Sequence, residues 1–219
     1  MVTYEQIKQD EAIKTYIRQA DKTLSALGYT EHSFAHVGKV ASTAQYILST
    51  LGHSKREVEL ASIAAYMHDI GNLVNRVDHS QSGAIIAFRI LDKMGMDAGE
   101  LATIVSAIGN HDEGTGVPVD AVAAALILAD KSDVRRSRVR NDDPAKFDIH
   151  DRVNFSVTNA DLSIDDERKN ITLNITIDTD YASVMEYFEI FLHRMLLCRK
   201  AADVLGLTFR LVINGQSLL

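Results

Sequence analysis

A histidine and an aspartate stand side by side, His68-Asp69, at the end of the run Leu60-Ala61-Ser62-Ile63-Ala64-Ala65-Tyr66-Met67. A segment apolar on nearly every side reads as a buried helix. An imidazole and a carboxylate at its end cost free energy unless something pairs them. Gly71, two residues further on, marks where the helix stops and a cleft can open. Two arrangements satisfy the pair. A divalent metal ion takes both groups, or Asp69 simply accepts a hydrogen bond from the ring of His68.

Two more positions share this context. His36 precedes Val37, Val40, Ala41, Ala44, Ile47, Leu48 and Leu51, which carry the period of an amphipathic helix. Asp130 closes the apolar run from Val122 to Ala129. Each of these groups stands at the end of a helix built for burial, and nitrogen and carboxylate ligands together suit zinc, manganese, iron or nickel. In order, spacing and context, residues 30 to 140 resemble the HD-domain superfamily of metal-dependent phosphohydrolases, whose signature is a His, a later His-Asp pair and a still later Asp on successive helices of an all-α domain. The resemblance implies one ion on His36, His68, Asp69 and Asp130.

His79 opens His79-Ser80-Gln81-Ser82-Gly83-Ala84 before another helical pattern, and His111 ends the helix that carries Leu101, Ile104, Val105 and Ile108. In branches of the superfamily with two metals, extra His ligands come from such positions. The similarity therefore implies a second divalent ion on His79 and His111, with Asp69 bridging. Read from the residues alone, His79 is equally a residue near a helix start and His111 a loop histidine. The implied activity is cleavage of a phosphate ester or anhydride of a nucleotide or other small phosphorylated metabolite. A di-iron oxygenase of the same superfamily could use the same six ligands, and a metal-stabilised interaction module is a third reading.

Asp69 and Asp112 are the candidate catalytic carboxylates. Asp112 and its neighbour Glu113 could orient a ring, accept a proton or face water, and facing water is the simpler role for Glu113. For substrate phosphate the candidates are Lys131, directly after Asp130, and Arg135 and Arg136, expected one turn later on the same continuing helix; cationic heads beside a metal suit phosphate. A solvated basic face is the alternative. Asn72 stands where some branches place Lys or Glu, which leaves that position's role in phosphate contact or proton transfer without a counterpart. His32, four residues before His36, reads as a loop histidine, and His53, His150 and His193 have no supporting context.

The 219 residues, 46% of them hydrophobic, can bury a substantial core. The single cysteine, Cys198, excludes a disulfide framework and a cysteine-based zinc knuckle. Met1-Val2-Thr3-Tyr4-Glu5 lacks a basic segment followed by an apolar one, and no apolar run is long enough to span a bilayer, so a cytoplasmic protein without membrane contact is expected. A formal net charge of −7 argues against general binding to nucleic-acid backbone. A homodimer is compatible with these features.

The expected fold is mainly α: an HD-domain-like helical bundle over residues 1–150 and a small α+β annex over 151–219. Ile7, Ile13, Tyr16, Ile17, Ala20 and Leu24 suggest one first helix, ended near Gly28. Past the basic segment of Arg135, Arg136, Arg138 and Arg140 the period changes from 3.6 to 2. Val153, Phe155 and Val157 alternate with polar residues, as do Ile171, Leu173, Ile175 and Ile177, with Asp165-Asp166-Glu167 in the connection. A long helix with Val184, Tyr187, Phe188, Phe191, Leu192, Met195 and Leu196 follows, then Leu207, Phe209, Leu211 and Ile213 alternate again. One helix over a three-stranded antiparallel or mixed sheet satisfies this pattern.

Overall fold

Capping residues start nearly every helix of the chain, and its computed structural model describes residues 1–219. The order is α1 (Tyr4–Gln9), α2 (Glu11–Ala26), α3 (Phe34–Thr50), α4 (Lys55–Met67), α5 (His79–Lys93), α6 (Ala98–Gly109), α7 (Ala121–Ser132), α8 (Ile149–Ser156), β1 (Val157–Ile164), β2 (Asn170–Ile177), α9 (Val184–Val204), β3 (Thr208–Ile213) and β4 (Gln216–Ser217). Thr3, Ser54 and Ser183 form capping boxes with Gln6, Glu57 and Glu186, and Asp97 and Asp120 accept from amides in the first turns of α6 and α7. No helix is long and apolar enough to cross a membrane.

The buried helices lie where their sequences place them. From Leu60 to Met67 every residue of α4 is buried, and so is every residue of α7 from Val122 to Ser132. α3 packs against both, α6 packs against α4, α5 and α7, and α9 lies against α7 and β3. One hydrophobic cluster runs from Ile7 through these helices to Leu211 and Ile213 of the sheet.

Three local expectations are corrected. The first helix is two, because Asp10 leaves helical geometry and its carboxylate accepts from the Ile13 amide to start α2. Val153 and Phe155 sit in a helix, α8, rather than a strand. Asp148 caps it by accepting from the Asp151 amide, and the alternating apolar residues satisfy a short helix equally well. The helix bearing Asp130 stops at Ser132, so Arg135 and Arg136 do not continue it; residues 134–148 form irregular chain with two short 3-10 turns.

The sheet is mixed, in the order β1-β2-β3-β4: β2 and β3 lie where the alternation places them, β1 begins only at Val157, where the first expected strand ends, and the two-residue β4 is additional. β1 and β2 form a hairpin with Leu162 opposite Leu173. β2 and β3 run parallel, Ile171 beside Phe209, so the connection between them must cross over, and α9 is that crossover. Ile171, Leu173, Ile175, Phe209, Leu211 and Ile213 turn to the core. Gly206, at φ +71°, takes the left-handed conformation that ends α9.

Candidate metal centre

Helix ends leave carbonyls without intrahelical partners, and His68 and His111 use them, whereas His79 uses a carbonyl of the chain just before α5. His68 Nδ1 lies 2.7 Å from the carbonyl of Ala65, His111 Nδ1 lies 2.6 Å from that of Ile108, and His79 Nδ1 lies 3.1 Å from that of Arg76. A carbonyl can only accept, so each Nδ1 carries the proton and each Nε2 presents a lone pair. His36 reaches the same tautomer through Asp133, whose Oδ2 is 2.8 Å from Nδ1. Asp133 is fully buried beside Lys39 and Arg135. Burial works against its charge, but His36 and Arg138 hold its carboxyl far below the usual carboxylate range.

The four Nε2 atoms converge on two carboxylates. His36 Nε2 lies 3.5 Å from Asp69 Oδ2 and 3.3 Å from Asp130 Oδ1, and His68 Nε2 lies 3.1 Å and 3.6 Å from the same two atoms. On the other oxygen of Asp69, His79 Nε2 lies 3.5 Å from Oδ1 and 3.2 Å from His111 Nε2. Ligands at about 2.0–2.2 Å from a common ion stand roughly 3–3.5 Å from one another, which these separations match. Nε2 of His36 and of His68 is buried with no hydrogen-bond partner, a costly state for a polar atom that a metal ion relieves. Burial opposes protonation of His68, yet Asp69 and Asp130 push its imidazole up to about 10. The two carboxylates thus call for a positive charge at this point, and a divalent cation supplies it. His36, His68 and Asp130 form one potential metal-holding group, and His68, Asp69 and His111 another.

Backbone proximity sets the site. Asp69 starts the 3-10 turn Ile70–Leu73, where the Asn72 amide donates to its Oδ1 and to its backbone carbonyl, both at 2.9 Å. Asn72 thereby fixes the rotamer of the Asp69 carboxylate. A Cβ at Gly71 would overlap the carbonyl of His79 and the amide of Gly83. Gly71 therefore lets the start of α5 press against the His68-Asp69 turn and brings His79 to Asp69.

An HD domain family model matches residues 33–135, a span that contains all six of these residues. Residues 33–135 of the chain are an HD domain. An uncharacterized protein of Methanocaldococcus jannaschii is 25% identical over 189 residues, 75% of this chain and 72% of its own length. A crystal structure titled as a predicted HD superfamily hydrolase, from an uncultured Thermotogales bacterium, is similar with a TM-score of 0.46 and 27% identity, over 62% of this chain and 75% of its own.

Above the centre of the HD domain lies a cavity of about 420 Å³, with Asp69, His79, His111, Asp130 and Lys131 at its base. Its walls come from the α2–α3 connection (Tyr29, Thr30, His32), from Arg76 and Arg138, and from beyond the HD domain: His150 and Asn154 of α8, and Ile190, Phe191 and Arg194 of α9. Lys131 is buried, with Nζ 2.7 Å from Asp130 Oδ2 and 2.6 Å from Glu113 Oε2. Glu113 is therefore an ion-pair partner and not a solvated side chain. Arg135 and Arg136 do not line the cavity. Arg135 is held by Asp133 and Glu31, and Arg136 by the Phe155 carbonyl and Asp178, because the chain leaves helical geometry between them and Asp130. Asp112 also lies off the cavity wall, 4.0 Å from His79 Nε2.

Sequence reading gave no role to Asp133, His150 or Arg194, and it left His32 as a loop residue. His32 Nδ1 lies 2.7 Å from the Thr30 carbonyl, so its Nε2 is the unprotonated atom, 4.0 Å from Asp69 Oδ2. Burial holds this imidazole well below its ordinary pKa, so it is neutral near pH 7. The four-residue spacing from His36 was the one available signal for it.

Proposed function

We propose that the chain is a metal-dependent phosphohydrolase, acting through two divalent ions on a phosphate ester or anhydride of a nucleotide or other small phosphorylated metabolite. The observation that carries this reading is the convergence of four Nε2 lone pairs and two carboxylates at the base of a cavity whose walls carry Arg76, Arg138 and Arg194 as well as Asp148 and Asp151. Divalent ions bound there lower the pKa of coordinated water and neutralise phosphoryl oxygens. The protein's own groups do the rest. Asp69 serves both halves of the centre through its two oxygens, which Asn72 holds in place. The buried ammonium of Lys131 faces the cavity and attracts a phosphoryl oxygen. His32, neutral and with Nε2 turned towards Asp69, is placed to accept a hydrogen bond from the attacking water.

The test is phosphate release from a panel of phosphorylated metabolites by protein loaded with Mn²⁺, Fe²⁺ or Ni²⁺, run with and without oxygen. Turnover that persists anaerobically and disappears in Asp69→Ala is the expected result. A panel with no phosphate released, or with turnover only in the presence of dioxygen, refutes the hydrolase.

A further inference from the structure

We propose that Arg194, on α9 and outside the HD domain, is a substrate-binding residue whose guanidinium takes a phosphate oxygen of the substrate. The proposal rests on the phosphohydrolase reading and adds to it an anion contact from the C-terminal part of the chain. Four strong cations line the cavity, and they differ in what already occupies their donors. Arg138 spends Nε on the carbonyl of Glu31, at 2.9 Å, and Nη1 on that of Asp133, at 2.7 Å. Lys131 gives two of its three N–H donors to carboxylates, which leaves one for a phosphoryl oxygen. Arg76 sits over the ring of Tyr29 and approaches His79 Nε2 at 3.3 Å.

Arg194 is different. Its Nε is buried and has no hydrogen-bond partner, and its one ion-pair contact is a long 3.4 Å from Nη2 to Glu113 Oε1. An arginine removed from water with an unused donor is costly unless an anion completes it. The head is nevertheless held in position, with its central carbon 4.3 Å from the centre of the Phe191 ring one turn earlier on α9. Glu113 ties Arg194 to Lys131, and Lys131 to Asp130, so the guanidinium stands on the cavity wall beside the metal centre. A planar guanidinium so placed suits a tetrahedral oxyanion better than an ammonium does, because its donors diverge in one plane at fixed spacing.

The test is calorimetric titration of inorganic phosphate into the Mn²⁺-loaded full-length chain, with KM and kcat on an ester it hydrolyses. Arg194→Gln should weaken phosphate binding by about tenfold to a hundredfold and raise KM by a similar factor, with manganese content unchanged. Arg194→Lys restores the charge without the planar fork and should fall between the two; it also decides the matter if the Gln variant does not fold. Phosphate affinity and KM within twofold of wild type, in Arg194→Gln or, failing that, in Arg194→Lys, overturn the assignment of Arg194 while leaving the hydrolase standing. A wild-type protein that neither binds phosphate nor releases it refutes the hydrolase reading, and this proposal with it.

Discussion

Asp133 holds no ion itself, yet it decides which nitrogen of His36 faces the centre. With the carboxylate as Nδ1 partner, Nε2 is free to bind metal; an amide in its place can present its NH2 group and favour the other tautomer. Asp133→Asn should therefore lower metal affinity by about 10- to 100-fold, read by competition with a fluorescent chelator. His79→Ala and His111→Ala should each remove about one ion per chain and leave the His36 side loaded, as metal analysis would show. Lys131→Met should raise KM for a phosphorylated substrate by about tenfold to a hundredfold, whereas Arg135→Met should leave KM unchanged, since Arg135 is bound to Asp133 and Glu31. The six candidate ligands that the structure brings together stand out in the sequence because each lies beside an apolar helical run, where an unpaired polar group is conspicuous. Asp133, His32, His150 and Arg194 do not. They stand in ordinary polar stretches or on an ordinary amphipathic face, and only the path of the chain brings His32, His150 and Arg194 to the cavity and Asp133 behind His36.

Among the elements, the contact between the turn after α4 and the start of α5 matters most for the centre. Any side chain at Gly71 meets backbone, which cannot move aside as a flexible side chain would. Gly71→Ala should lower Tm by roughly 5–10 °C and reduce bound metal, because the displaced element carries His79. The long helices were legible from their 3.6-residue period, and β2 and β3 from alternation over a face that buries one side only. α8 was misread for a physical reason: Val153, Phe155 and Val157 fit a period of 2, while the feature that distinguishes a helix here is the Asp148 cap. The end of α7 was likewise invisible in composition, since neither glycine nor proline marks Ser132 or Asp133.

For the molecule as a whole, the core does not stop where the HD domain does. Tyr187, Met195 and Ala201 of α9 belong to the same hydrophobic cluster as the residues of α7. Removing residues 151–219 should therefore expose that face and yield an aggregating or molten product, as ANS fluorescence and loss of a cooperative melt would show. Because ions bind the folded centre and not the open chain, Mn²⁺ at a hundred times its Kd should stabilise the stripped protein by about 2.7 kcal/mol, a rise in Tm of roughly 5–10 °C. The central claim, that these six residues are a two-ion centre with Asp69 shared between its halves, is tested most directly by counting metal. Mass spectrometric analysis of protein reconstituted with Mn²⁺ and freed of excess ion should find about two ions per wild-type chain and almost none in Asp69→Ala. A wild-type chain that retains one ion or none, or an Asp69→Ala chain that retains as many as wild type, contradicts it.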